Sequence, residues 1–333
     1  MIELVRLCEK CSATILVKRG MQHAIYAKGT GSPTDRYQKR FGDQILPSMP
    51  FDEVDAQRKV RELAEMIKCR GNPTYFITFT CNQPRFPGVA QVHKALQDSG
   101  QDPIPWGGYL QRVWHRSTRL LLQWLANDDS VLGSWTDSMS RYEFQDEKAN
   151  LSHIHMLAWT DDPVNDEDED VRAEAFRVAR SRVTADIGTA FAYIEDVWRR
   201  GKLESLAWDL LRNKCGPNCL RPARDGGGEM VCRLRLPKKP CHDGYYHQVN
   251  MKVGDDAMEV LLDLGLATRD ATSGRVDLHY ALRGGEHFYT RGAHDHCVSV
   301  FSPEVFEVIE SHMNAQVVDN RFMQCIPAEI HRW

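Results

Sequence analysis

Arg141-Tyr-Glu-Phe-Gln-Asp-Glu-Lys-Ala-Asn-Leu-Ser-His-Ile-His-Met-Leu-Ala-Trp159 carries two histidines, His153 and His155, separated by one isoleucine. On an extended chain residues i and i+2 share a face. Both imidazoles therefore project one way while Ile154 packs the other. The turn-like run Asp146–Ser152 separates this strand from Tyr142–Gln145, in which Glu143 and Gln145 also share a face. A hairpin would set a carboxylate or an amide beside two imidazoles. Two neutral imidazoles and one oxygen donor bind a divalent cation and leave positions open for substrate and water, whereas structural zinc takes four protein ligands. The candidate metal ligands are thus His153, His155, Gln145 and Glu143. The plain alternative is a pair of histidines on an exposed sheet face.

Composition sets the frame. The 333 residues are 42% hydrophobic and 26% charged, with a formal net charge of −4. That suits a soluble globular protein with a substantial core and does not announce a nucleic-acid binder. Seven of the ten residues from Asp161 to Asp170 are acidic. Like charges at that density repel, so the block reads as a solvated loop. No apolar run reaches the length of about 18 residues that a membrane span needs, and Met1–Arg6 lacks the design of a signal peptide. Ten unevenly spaced cysteines without such a leader point to metal binding or burial before disulfides.

Outward from the hairpin, Tyr75-Phe-Ile-Thr-Phe-Thr80 is rich in aromatic and β-branched residues and predicts a strand. Ala56, Val60, Leu63 and Ile67 predict a helix over 52–69, stopped by Gly71-Asn-Pro73. A polar loop is expected up to Gly108, then a helix from Tyr109 to Ala126. Val171–Arg212 reads as two helices broken near Gly201. A short helix (257–264), strands over 276–282 and 297–301, and a helix from Pro303 to Met313 complete the reading; the tail after 316 has no clear pattern. Helices and strands do not alternate as in βαβ units, so the fold class is α+β with a central antiparallel sheet and flanking helices, plus a Cys-rich irregular segment.

That segment holds Cys215, Cys219, Cys232 and Cys241, four thiols among Pro, Gly and basic residues. Zn²⁺ would supply folding energy that so polar a stretch lacks, and His242 could replace Cys241. The alternative is a loop with scattered thiols. Arg233, Arg235, Lys238 and Lys239 could neutralise DNA phosphates or serve as surface charge. Cys8 and Cys11 have no second pair nearby and read as structural. His294-Asp-His296-Cys297 reads as a loop.

Gly71-Asn-Pro-Thr-Tyr-Phe-Ile-Thr-Phe-Thr-Cys-Asn82, Tyr142-Glu-Phe-Gln145 and His153-Ile-His-Met-Leu157 together resemble the replication-initiator (Rep) domain of Helitron transposases, the helitron helicase-like family. Cys232-Arg-Leu-Arg-Leu-Pro237 and Asn314-Ala-Gln-Val-Val318 are similar to its later elements, so the resemblance runs in order from about residue 37 to 318. It implies an HUH endonuclease fold and cleavage of single-stranded DNA by a tyrosine, leaving a 5′-phosphotyrosine and a free 3′-hydroxyl, with Mg²⁺ or Mn²⁺. Carried over, His153 and His155 are metal ligands, with Gln145 or Glu143 the third. Two features depart from the family. The turn after Gln145 lacks the usual Gly and Pro. Phe322–Trp333, where the family's tyrosine helix would fall, contains no tyrosine and includes Pro327.

The expected organisation is an N-terminal extension (1–50), a Rep-like core (51–212), the Cys-rich basic segment (213–250) and the C-terminal part of the Rep-like region (251–333). Single-stranded DNA is the implied partner, with no membrane; a helicase accompanies the domain in full-length family members. The implied location is the nucleus in a eukaryotic host, and otherwise intracellular and soluble. Alternative readings are a non-catalytic DNA-binding relic or fragment, or an unrelated metal-dependent hydrolase.

Overall fold

The structure, a computed structural model, describes residues 53–80, 85–101, 107–127, 130–145, 151–213, 219–222, 230–232, 236–248, 255–278 and 285–318. Cys8, Cys11, Cys215, Arg233, Arg235 and the expected tyrosine region lie outside them. In chain order the elements begin with α1 (Glu53–Arg70), β1 (Tyr75–Thr80), α2 (Val89–Asp98), α3 (Gly107–Leu125), β2 (Trp135–Gln145) and β3 (Leu151–Thr160). Next come α4 (Glu169–Ser181), α5 (Ile187–Ala190), α6 (Val197–Leu211), β4 (Leu220–Pro222), β5 (Met230–Cys232) and β6 (Tyr245–Gln248). The last are α7 (Asp255–Asp263), β7 (Ala267–Arg269), β8 (Val276–Leu278), β9 (Gly285–Phe288), α8 (Pro303–Ile309) and β10 (Met313–Val317). The architecture is α+β, as the pattern predicts.

Four strands form the main sheet, in the order β10-β1-β3-β2, every neighbour antiparallel. Period-2 alternation gives the sheet two different faces. On one, Tyr75, Ile77 and Phe79 of β1, Ile154, Met156 and Ala158 of β3 and Met313, Ala315 and Val317 of β10 are all buried. They share a core with Trp114, Leu121 and Leu125 of α3, Phe176 of α4, Phe191, Leu203 of α6 and Phe306 of α8. Each fully buried side chain of this size contributes about 1.5–3 kcal/mol, so this layer dominates stability. On the opposite face Leu157, Trp159, Phe76 and Met139 pack under Leu63, Ala64 and Ile67 of α1 and Leu261 of α7. Among the described residues, these helices pack at the Trp159 end of that face.

Gly71 ends α1 where its predicted stop lies. Its φ is 76°, and a Cβ there would stand 2.4 Å from Asn165 Cγ, so glycine satisfies both the left-handed turn and the close approach. Asn165 Oδ1 accepts from Asn72 N at 2.8 Å, its Nδ2 donates to Asn72 O at 2.9 Å, and Trp159 Nε1 donates to Gly71 O at 3.0 Å. The acidic block is therefore more than a solvated loop. Asp168 caps α4 through the amides of Asp170 and Val171, and Asp162 pairs with Arg182, which also donates to the Tyr75 hydroxyl and Leu132 O. Burial raises the Tyr75 phenol above its ordinary pKa, against the lowering effect of Arg182, and its hydroxyl donates to Ala179 O at 3.0 Å.

Four expectations need correction. The region before Gly108 contains α2, whose Val89 packs into the core. Gly201 does not break a helix; it lies inside α6 with open space where a Cβ would point, and the breaks fall at 182–186 and 191–196. Residues 297–301 make isolated bridges, Arg212 with Val298 and Thr184 with Phe301, in place of a strand. The last helix stops at Ile309 because Glu310 turns left-handed, with φ 42° and ψ 39°, which frees the chain to re-enter the sheet as β10.

Candidate metal and nucleic-acid site

Register defines the other end of the second face. Across the sheet His155 lies opposite Thr78 on one side and Arg141 on the other; His153 lies opposite Thr80 and Glu143. Gln145 pairs with Leu151, two residues further along the same face of β2. The hairpin read from the sequence therefore exists, and its backbone puts Glu143, more directly than Gln145, across from His153. The side chains of Glu143 and Gln145 lie outside the described residues.

The imidazoles of His153 and His155 are half-buried, with ring centroids 6.3 Å apart at 48°. His155 stacks on Phe76 at 5.7 Å and 8°, where the apolar half of the face ends. Each histidine has a β1 threonine at its Nδ1: Thr78 Oγ1 lies 3.2 Å from His155 Nδ1, and Thr80 Oγ1 lies 2.8 Å from His153 Nδ1. The strand pattern Thr-Phe-Thr thus matches His-Ile-His rung for rung. Metal-binding histidines generally hold one ring nitrogen with a partner and offer the other. Two imidazoles on one face, each held at Nδ1 by a threonine, are a donor set that suits a divalent cation.

A third imidazole joins them that the sequence reading does not include. His312, just before β10, has its Nδ1 3.1 Å from the same Thr80 Oγ1. Its position is clamped: Thr80 N donates to His312 O at 3.0 Å, and buried Ser311 Oγ donates to Thr80 O at 2.8 Å. Burial, reinforced by neighbouring His153, holds the His312 imidazole below its ordinary pKa. Only the Asn314–Val318 stretch beside it carried a sequence signal. Among the described residues no three His, Cys, Asp or Glu side chains gather closely enough to hold a metal.

The thiols are dispersed. Cys232 is buried on β5 opposite Leu220, next to Cys219. Cys241 pairs by backbone with Arg291, and its thiol donates to Asp243 O at 3.0 Å. These three free cysteines form no metal group among the described residues, and the fourth member, Cys215, lies outside them. Of the basic residues named from sequence, Lys239 is exposed, and half-buried Lys238 donates its backbone amide to His296 O at 2.7 Å.

A basic surface that the sequence reading passed over lies on α3. Arg112, Arg116 and Arg119 recur at helical spacing, all exposed, on a helix with no Asp or Glu. Among the described residues none of the three has a carboxylate partner; Arg112 lies over the Tyr109 ring at 6.0 Å. Exposed Leu120 and Trp124 flank the stripe. Because Trp114, Leu121 and Leu125 pack on the opposite face of the sheet from the histidines, the arginines form a second surface behind it. The signal was visible in the sequence as an acid-free helix with arginines at i, i+4 and i+7.

Residues 19–158 match the family described as the Helitron helicase-like domain at the N-terminus. The match spans β1, β2, most of β3 and both histidines, so the family recognised from motifs is supported over that stretch. No curated protein matches the chain. Among the described residues no helix is long and apolar enough to cross a membrane.

Proposed function

We propose that this chain, carrying a Helitron helicase-like N-terminal domain, is a replication-initiator module of the HUH type that binds single-stranded DNA and one divalent cation, Mg²⁺ or Mn²⁺, for strand nicking and joining. The observation that carries the reading is the His-x-His pair on one face of β3 with each Nδ1 held by a β1 threonine. Glu143, opposite His153, is the favoured third donor, with Gln145 the alternative.

A cation there would polarise a non-bridging phosphate oxygen and stabilise charge developing on the phosphorus during in-line displacement. His153 and His155 would fix its place relative to the sheet. Thr78 and Thr80 fix the two rings. In the displacement an attacking hydroxyl loses its proton and bonds to phosphorus, and the bond to the 3′-oxygen breaks to leave a 3′-hydroxyl. Nothing in residues 322–333 offers the family's tyrosine for that attack. The DNA backbone would also contact the α3 arginines, whose positive charge is unopposed among the described residues.

The test uses the full chain. Mn²⁺ binding is followed by electron paramagnetic resonance, and a fluorescent single-stranded oligonucleotide by anisotropy. One tight Mn²⁺ site, lost in His153→Ala/His155→Ala, together with strand binding, is expected. A wild-type protein that takes up neither Mn²⁺ nor DNA refutes the reading. Binding of both with no cleavage of a labelled strand selects the non-catalytic module.

A further inference from the structure

We propose that α3 carries a single-strand nucleic-acid site of its own, separate from the histidine face, in which Arg112, Arg116 and Arg119 hold phosphates and Trp124 stacks a base. The inference deepens the proposed function and rests on it for the class of ligand. It starts from three cations and an indole that the fold leaves on one helix.

On a helix, residues at i, i+4 and i+7 lie in one row. Arg112, Arg116 and Arg119 therefore form a line on the side of α3 away from buried Trp114, Thr118 and Leu121. With His115, Leu120 and Gln123 they line a groove of about 440 Å³. Other exposed arginines have acids beside them: Arg70 has Asp137, Arg177 has Glu174 and Arg199 has Glu307. The α3 row has no carboxylate partner among the described residues, on a helix without Asp or Glu. Such a row attracts an external polyanion. Helical rise makes the row about 10 Å long. A nucleic-acid strand carries one phosphate charge per roughly 3.4 Å, so the row faces three phosphates, one to each guanidinium.

Trp124 lies further along the same helix by about 7.5 Å. It is 36% exposed, and Leu120, one turn before it, is 59% exposed. Together they make an apolar flank beside the arginines. An exposed indole offers a π-face that an unstacked base takes and a paired base does not, which favours a single strand over a duplex. From Arg112 to Trp124 the site is about 18 Å long, the length of roughly five nucleotides.

Separation from the histidines follows from packing. Trp114, Leu121 and Leu125 share a core with Ile154 and Met156, on the face of β3 opposite His153 and His155. A helix axis stands about 10 Å from the layer it packs on, and its far side lies about 5–6 Å beyond the axis. The arginine row is thus about 15 Å behind the sheet. A strand of six nucleotides, about 20 Å long, is fully occupied on α3 and does not turn round the sheet to the histidines. A long strand reaches both and gains avidity.

The test titrates hexathymidylate into the full chain by calorimetry at low salt with Mn²⁺. Two strands per chain are expected for wild type. Arg112→Gln/Arg116→Gln/Arg119→Gln and His153→Ala/His155→Ala should each keep one. Added to the histidine variant, Trp124→Ala should weaken the remaining strand by about 10-fold or more, and Trp124→Phe, which keeps a π-face, by less than about threefold. Circular dichroism checks the fold of each variant. One strand weakened by both the arginine and the histidine variants means a single continuous path and overturns the separate site. One strand indifferent to the arginine variant removes α3 and leaves the histidine reading standing. One strand lost only with the arginines supports the α3 site and refutes strand binding at the histidines. Unchanged affinity in folded Trp124→Ala overturns the stacking role. No strand at all overturns the α3 site, while Mn²⁺ uptake still decides the histidine site.

Discussion

Replacing Arg112, Arg116 and Arg119 with glutamine removes three positive charges from α3 without touching its buried side, since all three are exposed while Trp114, Thr118 and Leu121 face inward. If each arginine neutralises one phosphate of a single strand, each contributes about 0.7 to the slope of log affinity against log salt. The triple variant should therefore bind with a slope shallower by about 2. Raising salt from about 50 to 200 mM spans 0.6 log units, so the variant should lose roughly 20-fold less affinity than wild type over that interval. Anisotropy of a labelled oligonucleotide over a salt series measures this directly. Far-UV circular dichroism and a melting curve confirm that α3 is intact. A variant with the wild-type slope and affinity would show that the stripe is solvated surface, and would remove α3 from the DNA path while leaving the histidine site untouched.

Other perturbations test the framework and the site. Glu143→Ala should weaken Mn²⁺ binding more than Gln145→Ala, because Glu143 is the register partner of His153; the opposite ranking in parallel titrations would move the third donor to Gln145. Asp162→Ala removes the carboxylate from Arg182, whose side chain is 24% exposed against 9% for the aspartate. Breaking so sheltered a pair should cost about 2–3 kcal/mol, less than for a fully dry one, read from urea denaturation; a loss below about 0.5 kcal/mol would show that the pair does not tie α4 to the sheet. The Asp295 carboxyl is raised above its ordinary pKa by burial, against the donated Ile187 amide and with added repulsion from Asp186. A raised folded-state value means the folded protein binds more protons, so this group's contribution falls as pH rises from the unfolded value towards the folded one. Asp295→Asn should flatten that part of the stability curve, and an unchanged slope in chemical denaturation across pH 4–6 would refute the assignment.

Local signals made much of this legible. The β1 pattern Tyr75–Thr80 gave its bounds because strand alternation and the Gly-Asn-Pro stop are both local. The hairpin emerged because His153 and His155 face one way on a strand whose other face is apolar. What stayed hidden depended on partners far along the chain. α2 is short and only half apolar, and of its residues Val89 and Val92 pack into the core. Gly201 looked like a breaker, yet an exposed helix interior tolerates glycine at about 1 kcal/mol. Val298, Val300 and Phe301 are buried like strand residues but bridge to Arg212 and Thr184 outside any sheet. His312 was invisible for the same reason: nothing within its own segment announces that Thr80, 232 positions earlier, will be its neighbour.

That separation governs how the protein comes into being. During synthesis β1, β2 and β3 leave the ribosome early and can assemble with one another, yet β1 must wait for residues 313–317 before its second row of backbone groups is paired. Through that interval Tyr75, Ile77 and Phe79 lie on an uncapped strand, the kind of surface that recruits other chains. Closing so long a loop is slow. The histidine site and the protection of β1 therefore mature in the same late event, so a fragment limited to residues 19–158 should aggregate and lack His312 even though it contains His153 and His155.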